Sequence, residues 1–173
     1  MKKLILLSFI AALSLLSNFP VVSTAMAQEP GSIISASVLG GLQGSTLNGI
    51  KSGEYYSIRG SFLNFFAELR HDEWDGTGTY VRDNGFVGGI DFSLFHIMVS
   101  AGIGLGQSNY QSPLEGTSAQ SYSTFIYEGQ AMYTFEIVAG LLTAGIGVNY
   151  VAESNNIAPI SGWGGVAMLS LGF

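Results

Sequence analysis

The stretch HIMVSAGIGLGQ, residues 96–107, alternates strictly along its length. Ile97, Val99, Ala101, Ile103 and Leu105 fall on one side of an extended chain, and His96, Met98, Ser100, Gly102, Gly104 and Gly106 on the other. A period of two marks a strand with two unlike faces. The sequence ends the same way. In SGWGGVAMLSLGF, residues 161–173, Trp163, Gly165, Ala167, Leu169, Leu171 and Phe173 alternate with Gly164, Val166, Met168, Ser170 and Gly172.

Four further segments repeat the pattern. Leu63, Phe65, Ala67 and Leu69 alternate with Asn64, Phe66, Glu68 and Arg70; Phe86, Gly88, Ile90 and Phe92 alternate with Val87, Gly89, Asp91 and Ser93. Phe125, Tyr127, Gly129, Ala131 and Tyr133 alternate with Ile126, Glu128, Gln130, Met132 and Thr134, and Leu142, Ala144, Ile146, Val148 and Tyr150 with Thr143, Gly145, Gly147 and Asn149. Two weaker segments, residues 32–41 and 54–60, bring the number of predicted strands to eight.

The connections alternate as well. Residues 42–53, 71–84, 108–121 and 152–161 form long polar stretches, whereas very short turns are predicted near Gly60-Ser61, Leu94-Phe95 and Phe135-Glu136. Long loops at one end, tight turns at the other and strands of about 10 residues are the pattern of an antiparallel up-and-down transmembrane β-barrel. Residues 137–151 are apolar enough to suggest a helix. They fall short of the roughly 20 residues that a spanning helix needs, and Gly140, Gly145 and Gly147 each cost a helix about 1 kcal/mol relative to alanine. A strand is the better reading.

Composition says which face looks outward. Only 10% of the residues are charged although 47% are hydrophobic, against about a quarter charged in a soluble domain. A chain so poor in charge needs an apolar medium for its exterior. The larger apolar face runs through all the segments, while Arg59, Glu68, Arg70, Asp91, Glu128 and Gln130 occupy the other. Turned inward, these groups can pair in a narrow lumen, and the closed sheet leaves no unpaired edge in hydrocarbon. Phe62, Phe92, Phe135 and Phe173 fall at the tight-turn end and Phe86, Phe125, Tyr127, Tyr150 and Trp163 toward the long-loop end. Two such girdles suit the preference of aromatic rings for headgroup depth.

The N-terminus supplies an address. Lys2 and Lys3, the apolar run from Leu4 to Leu16, and Ala25-Met26-Ala27 form the three parts of a secretory signal peptide. Residues 1–27 are therefore set apart from the barrel domain, residues 28–173. That domain holds four basic residues (Lys51, Arg59, Arg70 and Arg82) against all twelve acids, a net charge of −8. No basic patch remains, which argues against nucleic acid as a partner. With no cysteine in the chain, disulfides and thiol chemistry are absent too.

Signal peptide, eight strands, alternating connections and a terminal Phe173 together resemble the OmpX/Ail type of small outer-membrane barrel, and also the OmpA membrane domain. The resemblance covers essentially residues 28–173 and is one of pattern, without a diagnostic loop motif. It implies a monomer in the outer membrane of a Gram-negative cell, in contact with lipid and lipopolysaccharide. It also implies that Phe173, with Leu171 and Leu169 at alternate positions before it, is read by the outer-membrane assembly machinery. Members of this group act as structural barrels, adhesins or surface-defence proteins, with host or surface ligands met by the loops.

Chemistry is sparse by contrast. His71 is placed at the long-loop rim and His96 at the tight-turn rim, about 25 Å apart across the apolar band, so they share no site. His71, Asp72, Glu73 and Asp75 form an acidic loop with the ingredients for a hard cation or a polarised water, though exposed acidic loops need no such role. Ser93 has no third group beside His96. No catalytic set, cofactor or metal site is assembled, and the expectation is a non-enzymatic barrel. A narrow porin-like pore and a lipid A-modifying enzyme stand as alternatives. Within the lumen, Arg59, Glu68, Arg70, Asp91 and Glu128 are expected to form an ion-pair network.

Overall fold

The computed structural model describes residues 33–45, 50–76, 80–111, 120–154 and 159–173. The signal peptide assigned to residues 1–27 lies outside the described residues. Eight strands follow one another: β1 (Ile34–Ser45), β2 (Ile50–Phe62), β3 (Phe65–Gly76), β4 (Tyr80–Leu94), β5 (Ile97–Gln111), β6 (Gln120–Val138), β7 (Leu142–Ser154) and β8 (Ile160–Gly172). Each pairs antiparallel with the next, and β1 closes on β8 from Ser35↔Gly172 to Ser45↔Gly162. The result is an all-β, eight-stranded, closed up-and-down barrel with no free strand edge. Among the described residues no helix is long and apolar enough to cross a membrane.

The barrel is inverted relative to a soluble protein. Leu42, Leu105 and Trp163 on the outside are 71%, 62% and 65% exposed, whereas Arg59, Glu68 and Arg70 inside are 1–3% exposed. The outward band of Val38, Ile58, Leu69, Phe86, Ile103, Ile146 and Leu169 runs around the whole circumference. Tyr150 and Trp163 pack at its upper edge, with ring centroids 4.9 Å apart and the rings tilted by 47°.

The structure moves several predicted boundaries. The strands run well past the band at the long-loop end, so β3 takes in residues 71–76 and β5 residues 108–111. Barrel pairing propagates upward wherever a neighbour offers backbone partners, and polar side chains on both faces do not stop it. The turns lie slightly later than predicted, at Leu63-Asn64, Phe95-His96 and residues 139–141. Leu63 and Phe95 adopt left-handed backbone, φ 54° and 55°, a conformation that usually selects glycine or asparagine. The apolar stretch 137–151 divides between the end of β6, a turn at Gly140 (φ +68°) and β7.

An eight-stranded barrel is only wide enough for side chains to fill. Here the filling comprises two apolar clusters, one around Phe66, Trp74, Val87, Ile126 and Ile160 and one around Leu39, Tyr55, Met132 and Met168. Glycines on the inner face give them room. A methyl group at Gly102 would meet Val87, Phe66 and Glu128 at 2.7–3.1 Å.

Candidate functional site in the barrel lumen

The inner positions of β2, β3, β4 and β6 bring the polar residues to the middle of the lumen. Arg59 on β2 is the hub. Its Nε donates to Glu68 Oε2 at 2.7 Å, Nη1 to Asp91 Oδ1 and Ser100 Oγ at 3.2 Å, and Nη2 to Glu128 Oε1 at 2.9 Å and Gln130 Oε1 at 3.1 Å. The flat guanidinium also lies over the Phe66 ring, 3.9 Å from its centroid. Arg70 on β3 forms a fork with Asp72, Nε to Oδ2 at 2.6 Å and Nη2 to Oδ1 at 2.8 Å, and reaches Glu128 Oε2 with Nη1 at 2.9 Å. Glu128 therefore bridges the two arginines. Charge-assisted bonds of this kind are about twice as strong as neutral ones, and in a packed lumen each also satisfies a group that is expensive to leave bare.

The structure thus places Arg59, Glu68, Arg70, Asp91 and Glu128 together inside the barrel, with Gln130 beside them. It adds residues that the sequence reading left out. Asp72, Asp83 and Glu153 also point inward and are 1–2% exposed. Gln43 Nε2 donates to Asp72 Oδ1 at 2.9 Å, and Ser37 joins Ser170 across the closing seam at 2.9 Å. Their signal was present in the sequence as the same alternation carried further: Glu68, Arg70, Asp72 and Trp74 on β3, and Asp91, Val87 and Asp83 on β4. Ending the third segment at Arg70 hid it.

The acidic loop needs correction for the same reason. His71, Asp72, Glu73 and Asp75 lie in β3, and their side chains part to opposite faces. Asp72 is buried beside Arg70, while His71 and Glu73 stand on the outer face above Leu69. There His71 packs on Tyr56 with centroids 4.7 Å apart, its Nδ1 lies 2.7 Å from Asn84 Oδ1, and its Nε2 lies 3.1 Å from Glu73 Oε1. Arg82 Nη2 reaches the same Glu73 oxygen at 2.9 Å. His96 sits in the turn at the other end, 5.6 Å from the Tyr133 ring. Among the described residues no group of three or more His, Asp or Glu side chains is arranged to hold a metal ion. Phe173 extends the seam, its N–H donating to Ile34 O at 2.8 Å, and the residue is 70% exposed.

No protein family profile matches the sequence, and no curated protein is similar to it. The shape does find counterparts. Neisserial surface protein A (NspA) superposes with a TM-score of 0.56 at 12% identity, covering 81% of this chain and 96% of that one. The N-terminal β-barrel domain of Pseudomonas aeruginosa OprF gives 0.55 at 9% identity, with 83% and 99% covered. The fold is that of a small outer-membrane barrel. Ail, the attachment invasion locus protein of Yersinia pestis, is similar too, with a TM-score of 0.50, 11% identity and coverage of 81% and 99%. At these identities what a small outer-membrane barrel shares with the three is its fold.

Proposed function

We propose that the chain is an integral protein of the bacterial outer membrane, its role structural or in surface interaction and carried by the long-loop end. The observation that carries this reading is the continuous exposed apolar band around a closed barrel whose charged side chains, among the described residues, turn inward or lie beyond the ends of the band. Such an exterior is unfavourable in water and suited to lipid. NspA is a surface protein and Ail an attachment invasion locus protein, and the shared fold favours a surface role here.

The packed, ion-paired lumen supports this reading over a narrow pore, and a planar bilayer should show no steady conductance. His71 and His96 lie at opposite ends of the barrel and so do not combine in one catalytic set. Cell fractionation followed by protease treatment of intact cells tests the proposal: the protein should be found in outer membranes and be cut only in its long loops. Recovery as a soluble periplasmic protein overturns it. In the same cells, deleting Phe173 should lower the membrane yield while detergent refolding proceeds, if that terminal ring is what the assembly machinery reads.

A further inference from the structure

The lumen carries more negative charge than its arginines can match. Among the described residues Glu68, Asp72, Asp83, Asp91, Glu128 and Glu153 face inward against Arg59 and Arg70, an excess of four carboxylates. The deficit is not spread evenly. Both arginines spend their donors on Glu68, Asp72, Asp91 and Glu128. Asp83 on β4 and Glu153 on β7 receive none. All four of their carboxyl oxygens are buried and none receives a well-formed hydrogen bond; the two groups approach each other inside the lumen, with the Ser108 hydroxyl beside Asp83.

Their surroundings bring neutral hydroxyls but no bonded cation. Asp72, the cross-strand partner of Asp83, adds a third acid, and its own partners are Arg70 and Gln43. From β5 comes Ser108, the partner of Asp83 in register, and from β6 Thr124 and Ile126. Tyr55 on β2 adjoins Asp72, and Ile160 on β8 pairs with Glu153. His71 is the remaining nearby titratable group, on the outer face of β3. Above the acids, Trp74, Val81 and Ile160 belong to one apolar cluster and are 0–2% exposed, so the pair is roofed from the loop side. Two ionised carboxylates in contact beneath an apolar roof is an arrangement that proteins avoid by neutralising one of them.

We propose that Asp83 and Glu153 are a proton-binding site in which one carboxyl donates to the other, the proton being an integral part of the folded barrel at neutral pH. The roof, the lack of a cation bonded to either acid and the spent arginines leave a proton as the occupant that needs no further ligand. One consequence concerns stability. The folded chain holds a proton that the unfolded chain, with ordinary carboxyls ionising near pH 4, has already lost. Folding therefore weakens as pH rises through the neutral and alkaline range, by up to about tenfold in the folding constant per pH unit for one proton.

The test uses the whole barrel refolded in lipid vesicles, as wild type, Asp83→Asn and Glu153→Gln. An amide at either position supplies the donor permanently. Infrared difference spectra at neutral pH should show a protonated-carboxyl band in wild type that is missing from both variants. Urea titrations between pH 6 and 9 should show wild type losing up to about tenfold more in folding constant per pH unit than either variant. Equal pH slopes and no difference band overturn the proposal. So does stabilisation of wild type alone by added sodium or calcium chloride at fixed pH without the band, which makes the occupant a metal cation. Should a variant fail to refold, the wild-type band decides alone: its presence at neutral pH and loss on alkalinisation support the site, and its absence at neutral pH overturns it.

Discussion

The middle and the top of the lumen are built from the same strands and the same residue types, yet they solve opposite problems. In the middle, Arg59 and Arg70 supply donors to four carboxylates, and Glu128 is held by both. At the top, Asp83 and Glu153 have a roof of Trp74, Val81 and Ile160 and no cation. A buried acid is thus defined less by its burial than by the donors within reach. The middle layer ties strands together by charge, and the top layer does so only with one charge removed.

The largest effect should come from emptying the middle. Arg59→Met leaves Glu68, Asp91 and Glu128 facing one another around a thioether, and breaking a buried pair costs roughly 3–5 kcal/mol. Urea unfolding in vesicles measures it; a variant as stable as the parent means that the hub is hydrated and the two layers do not differ. The amide exchanges come next, and they should have opposite signs. Glu68→Gln weakens a charge-assisted bond to Arg59 and should cost about 1.5–3 kcal/mol. Glu153→Gln at pH 8 should be neutral or stabilising by about 1 kcal/mol, because the amide donates without having to take up a proton from an alkaline solution. If both exchanges destabilise alike, the contrast between the layers fails. Smallest is a control outside the lumen. Leu63→Gly relieves left-handed backbone at a turn and should gain about 0.5 kcal/mol net of glycine's own entropy cost. That gain should not vary with pH; a pH-dependent one would couple the turn to the acids above.

Barrel, strand number and the inward face were legible in the sequence because lipid and lumen impose a strict alternation, and segments such as 96–107 show it without interruption. The upper halves of the strands were not. Above the band both faces are polar, so His71 to Asp75 reads as a loop although barrel pairing continues through it. The turns were misplaced for a different reason. Leu63 and Phe95 take the left-handed conformation without the glycine or asparagine that would announce it, and an aromatic ring at the membrane edge gives a local reason to keep Phe95 there. That Arg59 and Glu128 belong to one network was legible, but which arginine meets which acid was not, since it depends on curvature and not on spacing along the chain.

That last contact has a consequence for how the protein enters a membrane. β2 and β6 are four strands apart in a ring of eight, which puts Arg59 and Glu128 on opposite walls. A flat or half-curled sheet has no diameter, so their bond at 2.9 Å has no counterpart in any partly inserted form. Until β1 meets β8 these charges must keep their water, and insertion of one hairpin at a time gains nothing from them. Closure and dehydration of the lumen then become a single event. The Arg59 bridge acts as a latch that only a finished cylinder can fasten.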